Sequence, residues 1–564
     1  MKHTIKNPVQ KGLQKISNYS LIQHKERDMK QKLCAALAVV AALVFAGKAA
    51  ACSSILVSRG ASKDGSTIIT YSCDGEFHPH LQYQPAEDHK PGDVIEIRGR
   101  DGVVHTIDQV AHTYAVVGLM NELQLAIGET TFDGRKELRN PDGILHYWTL
   151  MNLALQRAKT AREAIDVITG LVEKYGYAST GETFSIADPE EVWIMEIIGP
   201  GPGGTGALWA AQRVPEGYMC AHANMSRISE VPLDDPENCV YSKNVVSFAR
   251  DKGYYDPKSG EPFRFCDAYD PATPEKCLYC ASRVWSIFRR SAPSRNFSPG
   301  FARAVQGADR YPLFIKPDDK LSVQNVMALM RDHYEGTEFD MTKGVDAGPF
   351  GTPNRWRPVT WQQDSVEYFW NRPVSTQQTG FSFVSQSRSF LPDEIGGVIW
   401  YGMDDTYTTC YIPLYCCITE VPGYFARGSM QEFTFDSAWW VFNFVANIAN
   451  LKYSYMIQDI QKVQQEIENR FFTFQPIVEQ AAAGMFKKDR AAVIEFLTDY
   501  SVLHGQDVVE QWAQLGKDLM CKYNDGYVKN EKGRPTAPGY PEAWLRTVNS
   551  VRKGVYRLPQ WERP

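Results

Sequence analysis

Short runs of apolar and β-branched residues, each bounded by turn-forming residues, recur through the first half of the chain. Residues 53–58 and 67–72 form two such runs, and the turn Ala-Ser-Lys-Asp-Gly-Ser lies between them. Residues 116–135 repeat the order of strand, turn and strand. Because β-branched runs favour strands and the polar residues between them favour turns, this pattern predicts β-hairpins.

The apolar spacing then changes to that of helices. Residues 144–159 carry apolar side chains at helical spacing, and Thr160 with Glu163 forms the start signal of a second helix. Strand patterns resume after this helix, at residues 183–187, 192–198 and 208–214. Paired strands, a helical pair and further strands predict an α+β fold in which helices cover sheets.

The N-terminal 51 residues have the features of a secretion signal. A short basic segment precedes an apolar run at residues 33–46, and three alanines at positions 49–51 stand where a signal peptidase would cut. Cleavage after the third alanine makes Cys52 the first residue of an exported protein, periplasmic or extracellular. Met29 stands just ahead of the basic segment and is a second candidate initiator.

These signals divide the chain into three parts. Residues 1–51 form an N-terminal extension with the signal peptide, and residues 52–436 form the main domain. From about Ser437 the apolar residues follow helical spacing with few strand signals, so residues 437–564 are predicted to be a helical C-terminal extension.

Position alone leaves three interpretations of Cys52. An N-terminal cysteine carries a thiol and a free α-amine, and the amine, which titrates near about pH 8, can act as the base that activates the thiol. Alternatively, thiol and amine are both acylated, and the chain is a lipid-anchored surface protein that binds peptides without cutting them. The third interpretation is a structural cysteine that is paired in a disulfide.

Charge and hydropathy exclude two classes of partner. The chain contains 60 Lys and Arg and 66 Asp and Glu, and removal of residues 1–51 leaves 51 basic against 64 acidic residues, a net charge of −13. This acidity argues against nucleic acid and against an anionic membrane surface. No apolar run after the signal approaches the roughly 18 residues that cross a bilayer, so we expect no membrane span.

No motif predicts a cofactor or a bound metal. Residues 201–206 match the GxGxxG pattern, but a predicted strand follows them, whereas a dinucleotide site needs a helix there. Cys277 and Cys280 form a CxxC pair without a second pair at zinc-finger spacing, so we expect a local disulfide or free thiols. His78 and His80 flank a proline, which favours a loop.

Residues near the predicted strand ends carry groups that suit amide hydrolysis. Cys52 starts the first strand and Asp74 ends the second, so an antiparallel hairpin brings the Asp74 carboxylate towards the Cys52 amine. Asn224 offers an amide donor for an oxyanion, and Arg227 offers a fixed positive charge. The alternatives are a solvated aspartate and ordinary turn residues.

Several long stretches match one known family. They are CSSILVSRGASKDGSTIITYSCD at 52–74, HTYAVVGLMNELQLAIGETTF at 112–132, YGYASTGETFSIADPEEVWIMEIIG at 175–199 and AHANMSRI at 221–228, with further matches towards the C-terminus. The mature chain thus resembles the secreted bacterial dipeptidases among the N-terminal-nucleophile (Ntn) cysteine hydrolases, which are related to penicillin V acylases and bile salt hydrolases. The resemblance implies an αββα sandwich and hydrolysis of dipeptides through a thioester on a cysteine freed by processing.

The resemblance also implies roles for individual residues. Cys52 matches the nucleophile, with its α-amine as base, and Asn224 matches the asparagine near the oxyanion. Asp74 matches an acid beside the amine, and Arg227 follows Asn224 in the same motif. Candidate substrate-binding residues in a matching pocket segment are Asn121, Glu122 and Glu129. The ammonium of a dipeptide needs a negative partner, for which Asp74 and Glu129 are the candidates.

The chain departs from the family pattern just before Asp74. Many members carry Arg-Asn ahead of this acid, whereas residues 71–73 are Tyr-Ser-Cys. This leaves no arginine on the strand and adds the thiol of Cys73, for which a buried structural role and oxidative pairing with Cys52 are the two interpretations. The alternative activities are an acylase for bile-salt or penicillin V amides and the lipid-anchored peptide-binding protein.

Overall fold

The predicted strands pair into two large antiparallel sheets in the computed structural model, which describes residues 52–98 and 102–558. The predicted signal segment and its cleavage position lie outside the described residues. The seven-stranded sheet has the order Phe314–Ile315 (β16), Met219–His222 (β14), Ser54–Val57 (β1), Ile68–Asp74 (β2), Thr379–Gln386 (β19), Val398–Met403 (β20) and Ile412–Tyr415 (β21).

The second sheet has eight strands, several of them very short. Its order is Cys239–Tyr241 (β15), Leu208–Arg213 (β13), Val192–Ile198 (β12), Gly181–Ala187 (β11), Ala126–Phe132 (β10), Met120–Asn121 (β9), Val116–Val117 (β8) and Tyr83–Gln84 (β3). Four further pairs of strands lie outside the two sheets: Glu87–Asp88 (β4) with His112–Thr113 (β7), Val94–Arg98 (β5) with Val104–Asp108 (β6), Thr360–Gln363 (β17) with Val366–Phe369 (β18), and Val528–Lys529 (β22) with Pro535–Thr536 (β23).

The α-helices vary from one turn to 34 residues. In chain order they are Tyr147–Arg157 (α1), Ala161–Tyr175 (α2), Val245–Asp251 (α3), Phe265–Tyr269 (α4), Pro274–Lys276 (α5), Ser282–Ser291 (α6), Val323–Met330 (α7), Asp393–Gly396 (α8), Ala438–Ala449 (α9), Tyr453–Phe486 (α10), Arg490–Tyr523 (α11) and Glu542–Arg552 (α12). A π-helical turn at Cys277–Ala281 joins α5 to α6.

The two large sheets face each other across the core of the molecule. Strand β2 contacts β10 and β11, and β1 contacts β12. The sheets approach each other closely at Gly128, where an added Cβ atom would lie 2.9 Å from the Cβ atom of Tyr71 and 3.2 Å from the carbonyl oxygen of Thr70. Only glycine fits this position, and the close approach brings the next residue of β10, Glu129, against the first hairpin.

Helices pack against each of the two sheets. On the eight-stranded sheet, α1 contacts β10 and α2 contacts β11 and β12, and on the seven-stranded sheet α9 contacts β20 and α11 contacts β21. The hydroxyl of Thr160 accepts the backbone N–H of Glu163, so the predicted cap begins α2. The predicted α+β fold, with helices that cover sheets, is confirmed.

The apolar run at residues 395–402 predicts a strand, and the structure differs from this prediction at the start of the run. Asp393–Gly396 forms the short helix α8 instead, and β20 begins at Val398. Asp393 and Glu394 lie in the first turn of this helix, where negative charge is favourable. The C-terminal part contains the long helices α10 and α11, and the domain boundaries stay a prediction.

The thiols and the long helices bear on two further expectations. Every cysteine in the described part of the chain is a free thiol, so Cys277 and Cys280 are not joined in a disulfide. Within residues 52–98 and 102–558, no helix combines the length and the apolar character that a bilayer crossing requires.

Candidate active site

Cys52 lies two residues before β1, near the two strands that flank β1 in the sheet. On one side Ser53 pairs with Ser72, and this register continued by one residue places Cys73 opposite Cys52. On the other side Ser54 pairs with His222, the last residue of β14, and Asn224 follows two residues after the end of that strand. The sequence stretches that suggested a nucleophile and an oxyanion donor therefore meet at one end of β1.

The thiol of Cys52 faces polar groups from both sheets. Its Sγ atom lies 3.7 Å from Glu129 Oε1 and 4.0 Å from the hydroxyl of Tyr71, which donates to the same oxygen of Glu129. The Sγ atoms of Cys52 and Cys73 and a carboxylate oxygen of Glu129 all lie within 4.8 Å of one another. In the part of the chain that the structure describes, these three residues are the one group with a geometry that could hold a metal ion.

The surroundings of this thiol disfavour its ionised form. Cys52 is fully buried, and burial raises the pKa of its thiol well above the ordinary value, with further contributions from a hydrogen bond with Cys73 and the charge of Glu129. Burial likewise raises the pKa of Glu129, although hydrogen bonds with Glu182, Tyr71 and Cys52 oppose this shift. A nucleophile in this position needs a base to remove its proton.

Arg283 connects Cys52 to Asn224, and no motif in the sequence had indicated it. Its Nη1 atom donates to the carbonyl oxygen of Cys52 at 2.7 Å and to Ser53 Oγ at 3.0 Å. Its Nη2 atom donates to the carbonyl oxygen of Ala223 at 3.3 Å and to Asn224 Oδ1 at 3.0 Å. Its Nε atom also donates to the carbonyl oxygen of Tyr279, at 2.8 Å. A fully buried guanidinium that binds these five oxygens fixes the nucleophile and the asparagine relative to each other.

The position of Arg283 is set by the start of the helix on which it lies. The residue lies on α6, directly after the π-helical turn that joins α5 to α6. Such turns are often found at functional sites because they change the direction in which side chains point. The sequence signal that could have revealed it is an arginine within a run of apolar and small residues, 282–288, all buried in the structure.

Asn224 has an unusual backbone conformation that its residue type tolerates. Its φ is 57°, in the left-handed region, where asparagine is one of the least disfavoured residues after glycine. Its Nδ2 atom donates to the carbonyl oxygen of Thr131 at 2.7 Å, and its Oδ1 atom accepts from Arg283. The amide is therefore held at a fixed orientation between the two sheets.

Asp74 is buried at the end of β2 and forms an ion pair with an arginine from a distant segment. Arg372 Nη2 lies 3.0 Å from Asp74 Oδ2, and Thr379 donates to Oδ1 at 2.8 Å. Burial raises the pKa of Asp74 to about 6, although the charge of Arg372 opposes the shift. An arginine does therefore accompany this acid, but it comes from residue 372 and not from the strand that carries Asp74.

Three of the predicted site residues, Asn121, Glu122 and Arg227, form hydrogen bonds with backbone groups. Arg227 donates to the carbonyl oxygens of Ala221 and Tyr311, at 3.1 and 3.2 Å, and to that of Pro312. The Asn121 amide makes four hydrogen bonds to backbone groups, and Glu122 accepts the N–H of Ala115. These bonds fix strand ends and loops, and the roles assigned to the three residues in catalysis or substrate binding stay predictions.

Comparison with known proteins places the chain in a family. The model of Peptidase family C69 matches residues 82–466, which include Glu129, Asn224, Arg283 and Arg372. The chain is similar to a "Probable dipeptidase" of Salmonella dublin, 29% identical over 402 residues that cover 67% of this chain and 84% of the relative. It is 24% identical over 495 residues to a "Probable dipeptidase" of Latilactobacillus sakei, and the match covers 84% of this chain and 94% of the relative. A "Dipeptidase" of Bifidobacterium longum is 22% identical over 455 residues, and the match covers 74% of this chain and 80% of the relative. Since the family model matches more than half of its length, the chain belongs to Peptidase family C69.

Proposed function

We propose that this protein is an exported dipeptidase in which Cys52, freed as the N-terminal residue by signal cleavage, is the nucleophile. The observation that carries the proposal is the convergence on Cys52 of Glu129 from the facing sheet and of Arg283, which also binds Asn224. The names of the relatives and of the family support a peptidase that acts on dipeptides. Two facing sheets with helices packed against each support the expected Ntn αββα sandwich.

The proposed reaction begins with a proton transfer within one residue. The α-amine of the processed Cys52 removes the thiol proton, which the buried surroundings otherwise hold on sulfur. The sulfur then attacks the carbonyl carbon of the dipeptide and forms a tetrahedral intermediate. The protonated amine donates its proton to the leaving amino group as the C–N bond breaks, and the C-terminal amino acid departs. Water then hydrolyses the thioester, which releases the N-terminal amino acid and restores the thiol.

Asn224 is the proposed donor to the oxyanion. Its Nδ2 atom carries two N–H groups, and the carbonyl oxygen of Thr131 accepts one of them. In the proposed reaction this amide donates to the negative oxygen of the intermediate, and such a bond contributes about 3 kcal/mol to the stability of the transition state. Arg283 acts as a positioning residue, because it holds the amide oxygen of Asn224 and the carbonyl oxygen of Cys52 at the same time.

Glu129 is the better candidate of the two acids for the ammonium group of a dipeptide. Asp74 already has a positive partner in Arg372, with which it forms a buried ion pair. The hydrogen-bond partners of Glu129 Oε1 are a phenol and a thiol, both uncharged donors, and Glu129 lies beside the nucleophile. An ammonium bound there would place the first peptide bond of the substrate next to sulfur, which supports a requirement for a free amino terminus.

A hydrolysis panel tests this function against its alternatives. The processed enzyme should cleave dipeptides with free amino termini and should cleave tripeptides, N-acetylated dipeptides, penicillin V and bile-salt conjugates at least 100-fold more slowly. A preference for the acyl amides would instead support the acylase. The absence of any turnover, together with a lipid's mass on Cys52, would support the peptide-binding surface protein.

Asn224→Ala should lower kcat by about 100-fold or more and leave KM little changed. The reason is that the bond to the oxyanion strengthens as the carbonyl becomes tetrahedral, so its loss raises the barrier more than it weakens binding. Asn224→Asp should be at least as harmful, because a carboxylate cannot donate to the oxyanion or to Thr131. Steady-state kinetics of both variants provide the measurement.

Iodoacetamide labelling provides the control for these variants. Cys52 should still react in both, which would indicate that the nucleophile is in place. A loss confined to KM would mean that Asn224 holds the substrate, and the oxyanion assignment would then be wrong.

A further inference from the structure

We propose that the processed enzyme binds one zinc ion at Cys52, Cys73 and Glu129, and that zinc in this position blocks hydrolysis. The inference rests on the proposed function for the free amine of Cys52 and for the activity that is blocked. Its structural basis is the cluster formed by two sulfur atoms and a carboxylate oxygen, all within 4.8 Å of one another.

The ligand types and spacing suit a tetrahedral site. Zinc binds thiolate sulfur at about 2.3 Å and carboxylate oxygen at about 2.0–2.2 Å, which places neighbouring ligands roughly 3.5–4 Å apart. The Cys52 sulfur is already 3.7 Å from Glu129 Oε1. Small side-chain rotations would bring all three atoms to these distances, because Cys73 and Cys52 occupy opposite positions on paired strands.

The processed N-terminus supplies the fourth ligand. The α-amine and the thiolate of Cys52 belong to one residue, so both can bind one ion in a five-membered chelate ring. Together with Cys73 and Glu129 they provide one nitrogen, two sulfurs and one oxygen, a set that zinc accepts and that hard cations such as Mg²⁺ disfavour. The same four groups include the proposed nucleophile and its base, so a bound ion removes both from the reaction.

Protons and charges are both accounted for when zinc binds. Binding displaces one proton from each of the two thiols to solvent, and Glu129 exchanges its hydrogen bonds from Tyr71 and Cys52 for the metal. Two thiolates and one carboxylate on Zn²⁺ leave one net negative charge. Arg283, which donates to the carbonyl oxygen of Cys52, lies next to this charge and stabilises it.

The site is tested by measuring hydrolysis while zinc is added to the processed enzyme, in a buffer that contains a thiol-free reducing agent. Wild-type hydrolysis should fall to zero at one zinc ion per chain, and excess Mg²⁺ should have no effect. Cys73→Ser should keep hydrolysis within about threefold of wild type and should need at least tenfold more zinc for half-inhibition. Cys521→Ser is the matched control, because Cys521 is an exposed thiol outside the cluster, and its inhibition should equal that of wild type.

Two results of this titration would overturn the proposal. One is half-inhibition of Cys73→Ser at the same zinc concentration that half-inhibits the wild type. The other is a weaker inhibition of Cys521→Ser than of the wild type. If Cys73→Ser does not fold, as judged by its unfolding transition, Cys73→Ala replaces it in the same experiment.

Cobalt spectroscopy separates the metal site from the activity. Co²⁺ added to the processed protein should give a sulfur-to-metal charge-transfer band at a stoichiometry of one, and Cys52→Ala and Cys73→Ser should each weaken it. A band with this dependence in a protein without dipeptidase activity would mean that the proposed function fails and the metal site stands. Dipeptide hydrolysis without the band, and without zinc inhibition, would mean that the metal site alone is wrong.

Discussion

Cys52→Ala should reduce dipeptide hydrolysis to the rate in buffer alone, the largest effect expected of any single substitution. The proposed thioester forms on this sulfur, and the α-amine that remains in the variant is not positioned as a nucleophile of comparable strength. Folding should survive, because removal of one buried sulfur atom costs about 1–2 kcal/mol and leaves the bonds from Arg283 to the main chain and to Ser53 intact. The measurement combines turnover of a dipeptide with the melting temperature.

Cys73→Ala is the matched control for this prediction. Its sulfur lies within 4.8 Å of that of Cys52, so the two variants remove the same atom type from neighbouring positions. Cys73→Ala should retain most of the hydrolysis. Turnover in Cys52→Ala that exceeds a few per cent of wild type would place the nucleophile elsewhere.

Arg283→Lys should lower kcat/KM by at least 100-fold, the second-largest effect. The lysine keeps the positive charge but cannot donate to five oxygens in a planar fork, so Asn224 and the carbonyl group of Cys52 lose their common anchor. Each buried acceptor left without a donor also costs about 1–3 kcal/mol, so the free energy of unfolding should fall by several kcal/mol. Urea unfolding and steady-state kinetics below the transition separate the two effects.

Arg227→Lys is the control for a buried arginine in the same region. Arg227 also binds backbone carbonyl groups, at Ala221, Tyr311 and Pro312, so its replacement should lower stability in a similar way. The folded fraction of this variant should keep kcat/KM within about tenfold of wild type. Equal losses of kcat/KM in both variants would contradict a specific positioning role for Arg283 and would favour the catalytic role that the sequence suggested for Arg227.

The local elements of this fold could be predicted because their causes are local. The first hairpin follows from two β-branched runs around a turn, and the start of α2 follows from Thr160 with Glu163. The GxGxxG segment connects β12 to β13, as the absence of a following helix indicated. Each of these features depends on residues within one turn or one strand of each other.

The partners of the nucleophile could not be predicted in the same way. Arg283 is separated from Cys52 by 231 residues, and Arg372 is separated from Asp74 by 298. These contacts depend on how two sheets and the helix after the π-helical turn come together, and a single sequence contains no local signal for that packing. Residue type alone was also insufficient to predict the role of Asn121, because its amide oxygen accepts hydrogen bonds from backbone N–H groups of its own loop.

The proposal that Cys52 becomes an N-terminal nucleophile depends most directly on the state of the mature chain. N-terminal sequencing and intact mass of the active, exported protein measure that state in one sample. The predicted result is a chain that begins at Cys52, with an unmodified amine and thiol, and a specific activity that rises with the fraction of chains so processed. Fully active protein that retains residues before Cys52, or that carries an acyl group on its amine, would contradict the account.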